Sequence, residues 1–445
     1  MKAVTMRFTI VRAVLCTLAA LALLAPRPAA AIELDAVAKA AAGYTVSDPK
    51  LESMYRAALL NTNKQVTLAS DGTAYVKTGD IPAEWLRDAS VQVRPYLFFA
   101  KGDSQVDMLL RGTVARMGKY LQVDPYANAF TLDYRVWEEK FELDSLAYPI
   151  TLAWTYWKQT GDTSVFTGDL SLGFDSALTT MEREQDHPRN TKHPYTHKEL
   201  ANGGAGNPVA YTGMIWTGFR PSDDACTYNY LIPSEMMAVV ALGELSEIER
   251  DVYHNLVKAE RAKALRDEVQ TGIQTYGVVF TPNYGYVYAY EVDGLGHANL
   301  MDDANVPSLL SAPYLGYTKS TSFVYKNTRK FLLSKDNPTY YVGKLARGIG
   351  SPHTNDGYVW PIALLMEGFT AGSDQERKDV LTQLLASDPG DHLLHESFNP
   401  DDPTKFSRVD FGWPNALFSE YVMTTFEGVP PLPVGSTTDL DFRGD

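Results

Sequence analysis

The chain has 445 residues, of which 45% are hydrophobic and 11% aromatic, and its formal net charge at neutral pH is −14. This length and apolar content are enough for a large buried core. The negative charge disfavours nucleic acids and anionic membranes as partners.

The first 31 residues have the three parts of a secretory signal peptide. Lys2, Arg7 and Arg12 form a positive segment, residues 13–24 are apolar, and residues 29–31 are the small residues that a signal peptidase recognises. The apolar segment is short for a membrane span, which disfavours the alternative of an uncleaved anchor. We therefore predict an exported protein, periplasmic or secreted, whose mature part is not held in the membrane.

Removal of this leader takes Cys16 away and leaves Cys226 as the single cysteine of the mature chain. An intramolecular disulfide is then impossible, and stability must come from the core. Although Cys226 closely follows a pair of acids, we expect its thiol to be a small packed apolar group rather than a nucleophile.

The mature chain is predicted to consist mainly of helices. Apolar residues recur at helical spacing in twelve segments that are separated by Gly, Pro or Asp. These segments are residues 50–65, 84–101, 104–122, 142–160, 163–184, 232–245, 247–271, 304–311, 320–333, 357–370, 374–387 and 413–426.

Twelve helices in consecutive pairs predict an all-α fold, an (α/α)6 barrel in which six inner helices are ringed by six outer ones. A helical solenoid and a pair of bundles are the alternatives, and the lack of a fixed-period repeat disfavours the solenoid. Residues 277–291 are rich in β-branched and aromatic residues around a Pro-Asn-Tyr-Gly turn, which predicts a small β-hairpin. No linker-like stretch divides residues 32–445, so we expect a single domain.

Two distant stretches carry acids that are candidates for catalysis. Residues 218–230, GFRPSDDACTYNY, contain Asp223 and Asp224, and residues 395–402, HESFNPDD, contain Glu396. Glycoside hydrolysis needs two such carboxyl groups, one to protonate the leaving oxygen and one to activate water or attack the sugar. The alternatives are that the acid pair caps the following helix and that the glutamate is a solvated surface charge.

Other polar residues collect at predicted helix starts. Trp85, Arg87 and Asp88 fall in the first turns of one helix, and Glu142 and Asp144 begin another. The arginine and the neighbouring aspartate can form an ordinary surface ion pair. The helix dipole also stabilises acids at an N-terminus without any further function.

We expect neither a metal nor another cofactor. The eight histidines form no HExxH or similarly compact metal motif, and Asp302 and Asp303 lack the spacing of a calcium-binding EF-hand loop. The chain also lacks the G-x-S-x-G elbow of serine hydrolases and the glycine patterns of nucleotide-binding loops.

Several long motifs point to one family. From about residue 45 to residue 426 the chain resembles the exo-α-1,6-mannosidases of glycoside hydrolase family 125. This resemblance implies an (α/α)6 barrel, removal of non-reducing terminal α-1,6-linked mannose, independence of metals, and inversion at the anomeric carbon. The motifs that carry it are GDIPAEWLRDASVQVRPYL, FRPSDDACTYNYLIP, LMDDANVPSLLS, GIGSPHT, HESFNPDDPTKFSR and GWPNALFSE.

The resemblance also implies roles for individual residues. It makes Asp223 or Asp224 the general acid and Glu396 the general base. Asp223 is favoured because, in the related glucoamylase-type barrels, the first of two adjacent acids protonates the leaving oxygen. The residues expected to line the mannose pocket are Trp85, Arg87, Asp88, Glu142, Asp144, Arg220, Asp302, Asp303, His353 and Trp413.

Two other functions stay open. One is an exo-glycosidase of the same fold with another linkage, an α-1,2-mannosidase or an α-glucosidase. The other is a non-catalytic mannan-binding protein that keeps the residues that bind hydroxyl groups. The presence of both candidate carboxylates favours an enzyme acting on α-mannoside glycans.

Overall fold

The structure is a computed structural model that describes residues 34–189 and 194–435. The predicted signal peptide, residues 1–31, lies outside the described residues. Within these two ranges the chain forms thirteen α-helices and fourteen short strands. None of the described helices is long and apolar enough to cross a membrane.

The helices account for most of the regular structure. They are α1 Asp35–Gly43, α2 Pro49–Asn61, α3 Leu86–Gln92, α4 Ser104–Val123, α5 Leu143–Thr160, α6 Gly168–Glu184, α7 Ala201–Gly204, α8 Ile232–Asp251, α9 Leu256–Tyr276, α10 Phe323–Leu332, α11 Pro361–Phe369, α12 Asp374–Ala386 and α13 Gly412–Thr425. Short 3-10 helices occupy Thr62–Gln65, Arg94–Phe99 and His187–Arg189.

The strands form small antiparallel sheets between the helices. They are β1 Val66–Leu68, β2 Ala74–Val76, β3 Glu84–Trp85, β4 Ala129–Phe130, β5 Val136–Glu138, β6 Tyr230–Leu231, β7 Val278–Thr281, β8 Gly285–Tyr288, β9 Glu291–Val292, β10 Ala298–Asn299, β11 Tyr340–Val342, β12 Arg347–Ile349, β13 Ser397–Asn399 and β14 Asp402–Ser407. Two sheets have three strands, in the orders β3-β4-β5 and β10-β9-β6, and the others are pairs. The predicted hairpin in residues 277–291 is confirmed as β7 and β8.

Burial separates the helices into an inner and an outer ring. All residues of α3 and twelve of the fourteen residues of α13 are buried, whereas only three of the thirteen residues of α12 are. The inner helices α3, α5 and α8 pack in sequence, and α13 packs against both α11 and α3. The outer helices α2, α4, α6, α9, α10 and α12 alternate with them along the chain, so the predicted all-α (α/α)6 barrel is confirmed.

One of the six places in the inner ring, between α9 and α10 in the chain, is not filled by a helix. The prediction of a helix for residues 304–311 is therefore wrong. Pro307 and Pro313 remove backbone donors there, and the buried carboxylate of Asp302 accepts from the amides of Leu309 and Leu310 at 2.9 and 3.0 Å. These side-chain hydrogen bonds replace the helical ones. Asp302 thus holds the barrel wall, rather than lining a pocket as predicted.

Packing fixes this irregular wall between its neighbours. The hydroxyl of Tyr148 in α5 donates to the carbonyl of Val306 at 2.9 Å. The hydroxyl of Tyr314 donates to Glu420 in α13 at 3.0 Å. Turns with buried apolar side chains therefore complete the inner ring.

Among the predicted helix boundaries, those of two segments differ most from the structure. The segment 84–101 divides after α3, because Pro95 opens a separate 3-10 helix. Residues 247–251 belong to α8, and α9 begins only at Leu256, where Asn255 caps it through the amide of Lys258 at 3.1 Å.

Candidate active site

A pocket of about 270 Å³ lies beside the N-terminal ends of the inner helices. Trp85 and Trp360 immediately precede α3 and α11, and Trp413 lies in the first turn of α13. Seven of the predicted site residues line this pocket together. The lining residues are Thr78, Ile81, Trp85, Arg87, Asp88, Pro221, Ser222, Asp223, Asn305, His353, Trp360, Glu396, Arg408, Phe411 and Trp413.

Asp223 lies in a tight turn that presents it to the pocket. Its amide donates to the carbonyl of Arg220 at 2.9 Å, and the amide of Arg220 donates to the carbonyl of Asp224 at 2.8 Å. Pro221 suits the second position of such a turn. Asp223 has a φ of +65°, a left-handed conformation that Asp tolerates better than most side chains. An acid in a position that favours glycine is typical of a functional site.

The alternative that this acid pair caps a helix is wrong. Helix α8 begins at Ile232, and its N-cap residue, Leu231, makes no side-chain capping hydrogen bond. Arg220, which was predicted to line the pocket, instead anchors the turn from behind. Its Nε donates to Oε1 of Glu291 at 2.7 Å, and both side chains are buried.

Four carboxyl groups lie within 3.5 Å of the guanidinium group of Arg87, and three of them accept hydrogen bonds from it. Arg87 Nη1 donates to Glu142 at 2.6 Å and to Asp144 at 3.4 Å, while Nη2 donates to Asp223 at 3.3 Å. The amide nitrogen of Asn128 donates to Glu142 at 3.2 Å and to Asp223 at 3.1 Å. Glu142 and Asp144 therefore contact Arg87 behind the pocket and do not line it.

Because these carboxyl groups outnumber the single guanidinium group of Arg87, some of them stay protonated. Burial, together with the charge of Asp223, raises the pKa of Glu142 well above its ordinary range, and burial raises the pKa of Asp144 to about 6. Burial also opposes ionisation of Asp223, but the charge of Arg87 and a hydrogen bond from Glu142 outweigh it and lower the pKa of Asp223. Glu142 and Asp223 thus hold one proton between them and titrate as a pair.

Glu396 lines the same pocket from the β13–β14 hairpin. Burial raises its pKa, and the nearby cations Arg408 and His353 oppose that rise. Nη1 of Arg408 lies 3.9 Å from Oε1 of Glu396. Arg408 is itself fixed by Asp80 at 2.9 Å and by the ring of Phe411, whose centroid lies 4.5 Å away.

His353 distinguishes the two adjacent aspartates. Its Nδ1 lies 3.2 Å from Oδ1 of Asp224, and this hydrogen bond raises the pKa of His353 to about 9. The imidazole is then a cation at neutral pH, with Asp224 as its partner. Asp223, by contrast, faces the pocket that Glu396 also lines.

Aromatic rings and one further acid complete the walls. Trp85, Trp360 and Trp413 are all buried, and the guanidinium carbon of Arg87 lies 5.5 Å from the centroid of the Trp413 ring. Asp88 lies 3.5 Å from Nε of Arg87, and burial raises the pKa of Asp88 to about 6. This pair is buried, so the alternative of a surface ion pair is wrong.

Sequence reasoning missed several pocket residues. Asn305 lines the pocket and is held by Asp303, whose Oδ1 accepts from its amide at 3.0 Å. Arg408 and Trp360 also line the pocket, and the side-chain amide of Asn128 donates to Asp223 and Glu142. Arg408 is the last residue of the motif HESFNPDDPTKFSR, and its place in that motif is the sequence signal that could have identified it as a pocket residue. Asn128 reaches the site only through the pairing of β3 with β4.

Neither a metal cluster nor a reactive thiol stands out in the described part of the chain. No group of three or more His, Cys, Asp or Glu side chains there is arranged to hold a metal ion. Cys226 is buried, and burial raises the pKa of its thiol. A thiol held in its neutral form is a poor nucleophile.

A family model and a relative from another organism match most of the chain. Residues 48–423 match the family model described as metal-independent alpha-mannosidase (GH125). The meiotically up-regulated gene 157 protein of Schizosaccharomyces pombe is 39% identical over an alignment of 398 residues, and the match covers 80% of this chain and 77% of that protein.

Solved structures are similar as well. A Streptococcus pneumoniae protein, described within a family of metal-independent alpha mannosidases and solved as a non-productive complex with α-1,6-mannobiose, is 42% identical with a TM-score of 0.83. The match covers 88% of this chain and 97% of that one. A bacterial glucoamylase complexed with acarbose is 13% identical with a TM-score of 0.61, covering 84% of this chain and 55% of that one. The second likeness shows the fold alone.

Proposed function

The chain belongs to glycoside hydrolase family 125, the metal-independent α-mannosidases, and from this membership we propose that it removes terminal α-1,6-linked mannose from the non-reducing end of glycans with inversion. The linkage is supported by the pneumococcal relative, which was solved with α-1,6-mannobiose and is 42% identical. The alternatives of another linkage and of mannan binding without turnover are decided by the experiment below.

Exo action is supported by the size of the pocket. Its volume of about 270 Å³ is below the roughly 300–1,000 Å³ typical of pockets for drug-sized ligands. Such a space suits one sugar ring rather than the middle of a chain. Trp85 and Trp413 can cover the apolar face of that ring, while Arg87 and Asp88 can bind its hydroxyl groups.

The observation that carries the proposal is that Asp223 and Glu396 line one pocket although 172 intervening residues separate them in sequence. In the proposed reaction Asp223 donates a proton to the glycosidic oxygen as the bond from that oxygen to the anomeric carbon breaks. Glu396 takes a proton from a water molecule, whose oxygen forms the new bond on the opposite face. The mannose leaves as the β-anomer.

The buried pair supports the assignment of the acid. A general acid must hold a proton near neutral pH, and ordinary aspartates do not. Glu142 holds that proton next to Asp223 in the free enzyme. When the glycosidic oxygen reaches Asp223, the proton moves from Glu142 to Asp223 and then to the leaving group, and Glu142 becomes the charged member of the pair beside Arg87.

Ionisation of the base is supported by its cationic neighbours. Glu396 must be charged to accept a proton from water, and burial alone would keep it neutral. Arg408 and the imidazolium of His353 favour the charged form. These two cations thus counter part of the burial effect that would keep the base neutral.

We also propose that the enzyme acts outside the cytoplasm, as its N-terminal sequence predicts. Cell fractionation followed by N-terminal sequencing of the mature protein would test this. A mature chain beginning after residue 31 in periplasm or medium is the expected result, and an intact N-terminus on a cytoplasmic protein would contradict it.

The proposed activity is tested by a panel of disaccharides. The purified protein is incubated with α-1,6-, α-1,2- and α-1,3-mannobiose and with α-linked glucose disaccharides, and Glu396→Gln serves as the control. We expect mannose to be released fastest from the α-1,6 isomer and much more slowly by the variant. Preference for another isomer would overturn the linkage, and binding without release would favour a mannan-binding protein.

A further inference from the structure

One tryptophan is used neither by the core nor by the pocket. Of the seven tryptophans, all within the described residues, five are buried and Trp157 is packed against the core. Trp137 has 49% of its surface exposed. An exposed aromatic ring of this size is available to stack on a ligand if the fold places it beside a site.

The local backbone directs this side chain. Strands β4 and β5 pair Ala129 with Glu138 and Phe130 with Val136, which leaves Trp137 as the extra residue of a β-bulge. Bulges change the direction of a side chain and are frequent next to active sites. The same sheet includes β3, whose Trp85 lines the pocket.

The bulge lies beside the proposed acid. The amide nitrogen of Asn128 donates both to Oε2 of Glu138 at 3.0 Å and to Oδ1 of Asp223 at 3.1 Å. Lys140 donates to the carbonyl of Asp223 at 2.8 Å and lies 3.4 Å from Glu138. Trp137 is therefore next in sequence to Glu138, and Glu138 and Asp223 accept hydrogen bonds from the same nitrogen of Asn128.

The acid marks the side of the pocket on which the leaving group lies, because it protonates the leaving oxygen. The proposed base, Glu396, lines the same pocket together with Arg408, next to the β13–β14 hairpin. A residue next to the acid and open to solvent is thus placed to contact the part of the glycan that departs. Glu138 and Lys140 lie beside it and can bind sugar hydroxyls.

We propose that Trp137 is the platform on which the leaving mannosyl residue of the glycan stacks. The inference rests on the proposed function and names a specificity residue for it. An α-1,6 linkage includes an extra CH2 group, so the leaving ring can turn its apolar face onto the indole. Trp137 therefore contributes to binding of the leaving sugar and not to the chemistry of the reacting carbon.

Two substrates with different leaving groups test this proposal. In α-1,6-mannobiose the leaving group is a sugar, whereas in α-mannosyl fluoride it is a single atom that cannot stack. We expect Trp137→Ala to lower kcat/KM for mannobiose about tenfold, in the range of an aromatic contact, mainly through KM. Hydrolysis of the fluoride should change less than twofold, and Trp137→Phe should recover most of the loss.

Phe280→Ala is a matched control, since Phe280 is 66% exposed on the β7–β8 hairpin and does not line the pocket. It should leave both substrates unaffected. An equal loss on both substrates for Trp137→Ala, or no loss on either, would overturn the platform while the parent activity stands. A parent enzyme that hydrolyses neither substrate would overturn the proposed function and this inference with it.

Discussion

The carboxyl groups of Glu142 and Asp223 accept hydrogen bonds from the same nitrogen, Nδ2 of Asn128, at 3.2 and 3.1 Å. Arg87 also binds both groups, at 2.6 and 3.3 Å. One cation cannot fully balance two buried carboxylates together with Asp144, so the pair keeps a proton. The first two predictions follow from this shared proton.

Replacing Glu142 should remove the group that supplies a proton to the proposed general acid, Asp223. Glu142→Gln keeps the shape of the side chain but cannot supply a proton. Asp223 would then keep its contacts with Arg87 and Asn128 but lose the neighbouring carboxyl group, and it would ionise more readily. We expect kcat on α-1,6-mannobiose to fall about 10²-fold at neutral pH, within the range for general acid catalysis, and the alkaline limb of the pH profile to move to lower pH.

Glu235→Gln is the control for this experiment. Glu235 is also buried, with its pKa raised by burial, but it binds the amide of Ile215 at 2.9 Å and does not line the pocket. Its replacement should leave the pH profile unmoved. A Glu142→Gln enzyme with the parent alkaline limb would contradict a shared proton.

The two adjacent aspartates should respond differently to the leaving group. Asp223→Asn should lower kcat on α-1,6-mannobiose by about 10²- to 10⁴-fold, because the leaving oxygen is no longer protonated. With 2,4-dinitrophenyl α-mannoside, whose leaving group needs no proton, the loss should be far smaller. Asp224→Asn should affect both substrates alike. If Asp224→Asn showed the leaving-group dependence instead, Asp224 would be the acid.

His353 should link stability to pH. Its pKa is raised from 6.5 to about 9, chiefly by its hydrogen bond to Asp224. A raised histidine pKa stabilises the fold fully below about pH 6.5, and this contribution is lost as the pH rises through about 9. We expect the Tm difference between the parent and His353→Gln to be larger at pH 6 than at pH 9.5. A difference that does not change with pH would show that the pair does not stabilise the fold.

Cys226 should be dispensable for catalysis. The thiol is buried and held neutral, and the backbone amide of Cys226 donates to the carbonyl of Gly218, at 2.9 Å, in the segment that leads into the acid turn. Cys226→Ser should keep kcat within a few-fold and cost about 1–3 kcal/mol of unfolding free energy, because it buries a hydroxyl group. Loss of kcat in a normally folded variant would indicate a thiol mechanism.

Much of the barrel could be predicted because local signals agree with the fold. The bounds of α4, α5 and α12 follow from apolar spacing and from polar or glycine punctuation. Residues 304–311 have helical spacing too, but Asp302 binds the amides of Leu309 and Leu310. That competition depends on where the chain places one carboxylate, which periodicity does not show.

The site was predictable where a motif carries it and not where the fold assembles it. Asp223, Glu396, Arg87 and Trp413 lie in distinctive motifs. Asn128 is a lone amide in an ordinary loop sequence, and strand pairing brings it to the acid. The different surroundings of Asp223 and Asp224 could not be predicted either. They depend on the left-handed conformation of Asp223 and on the contact of Asp224 with His353, which comes from a distant loop.

The stereochemistry of hydrolysis tests the central claim most directly. If Asp223 is a general acid and Glu396 activates water on the opposite face, the product is formed by a single displacement. Proton NMR of the first minutes of α-1,6-mannobiose hydrolysis should then show β-mannose first, with the α-anomer following by mutarotation. Initial release of α-mannose would contradict the account, because one of these carboxylates would have to act as a nucleophile.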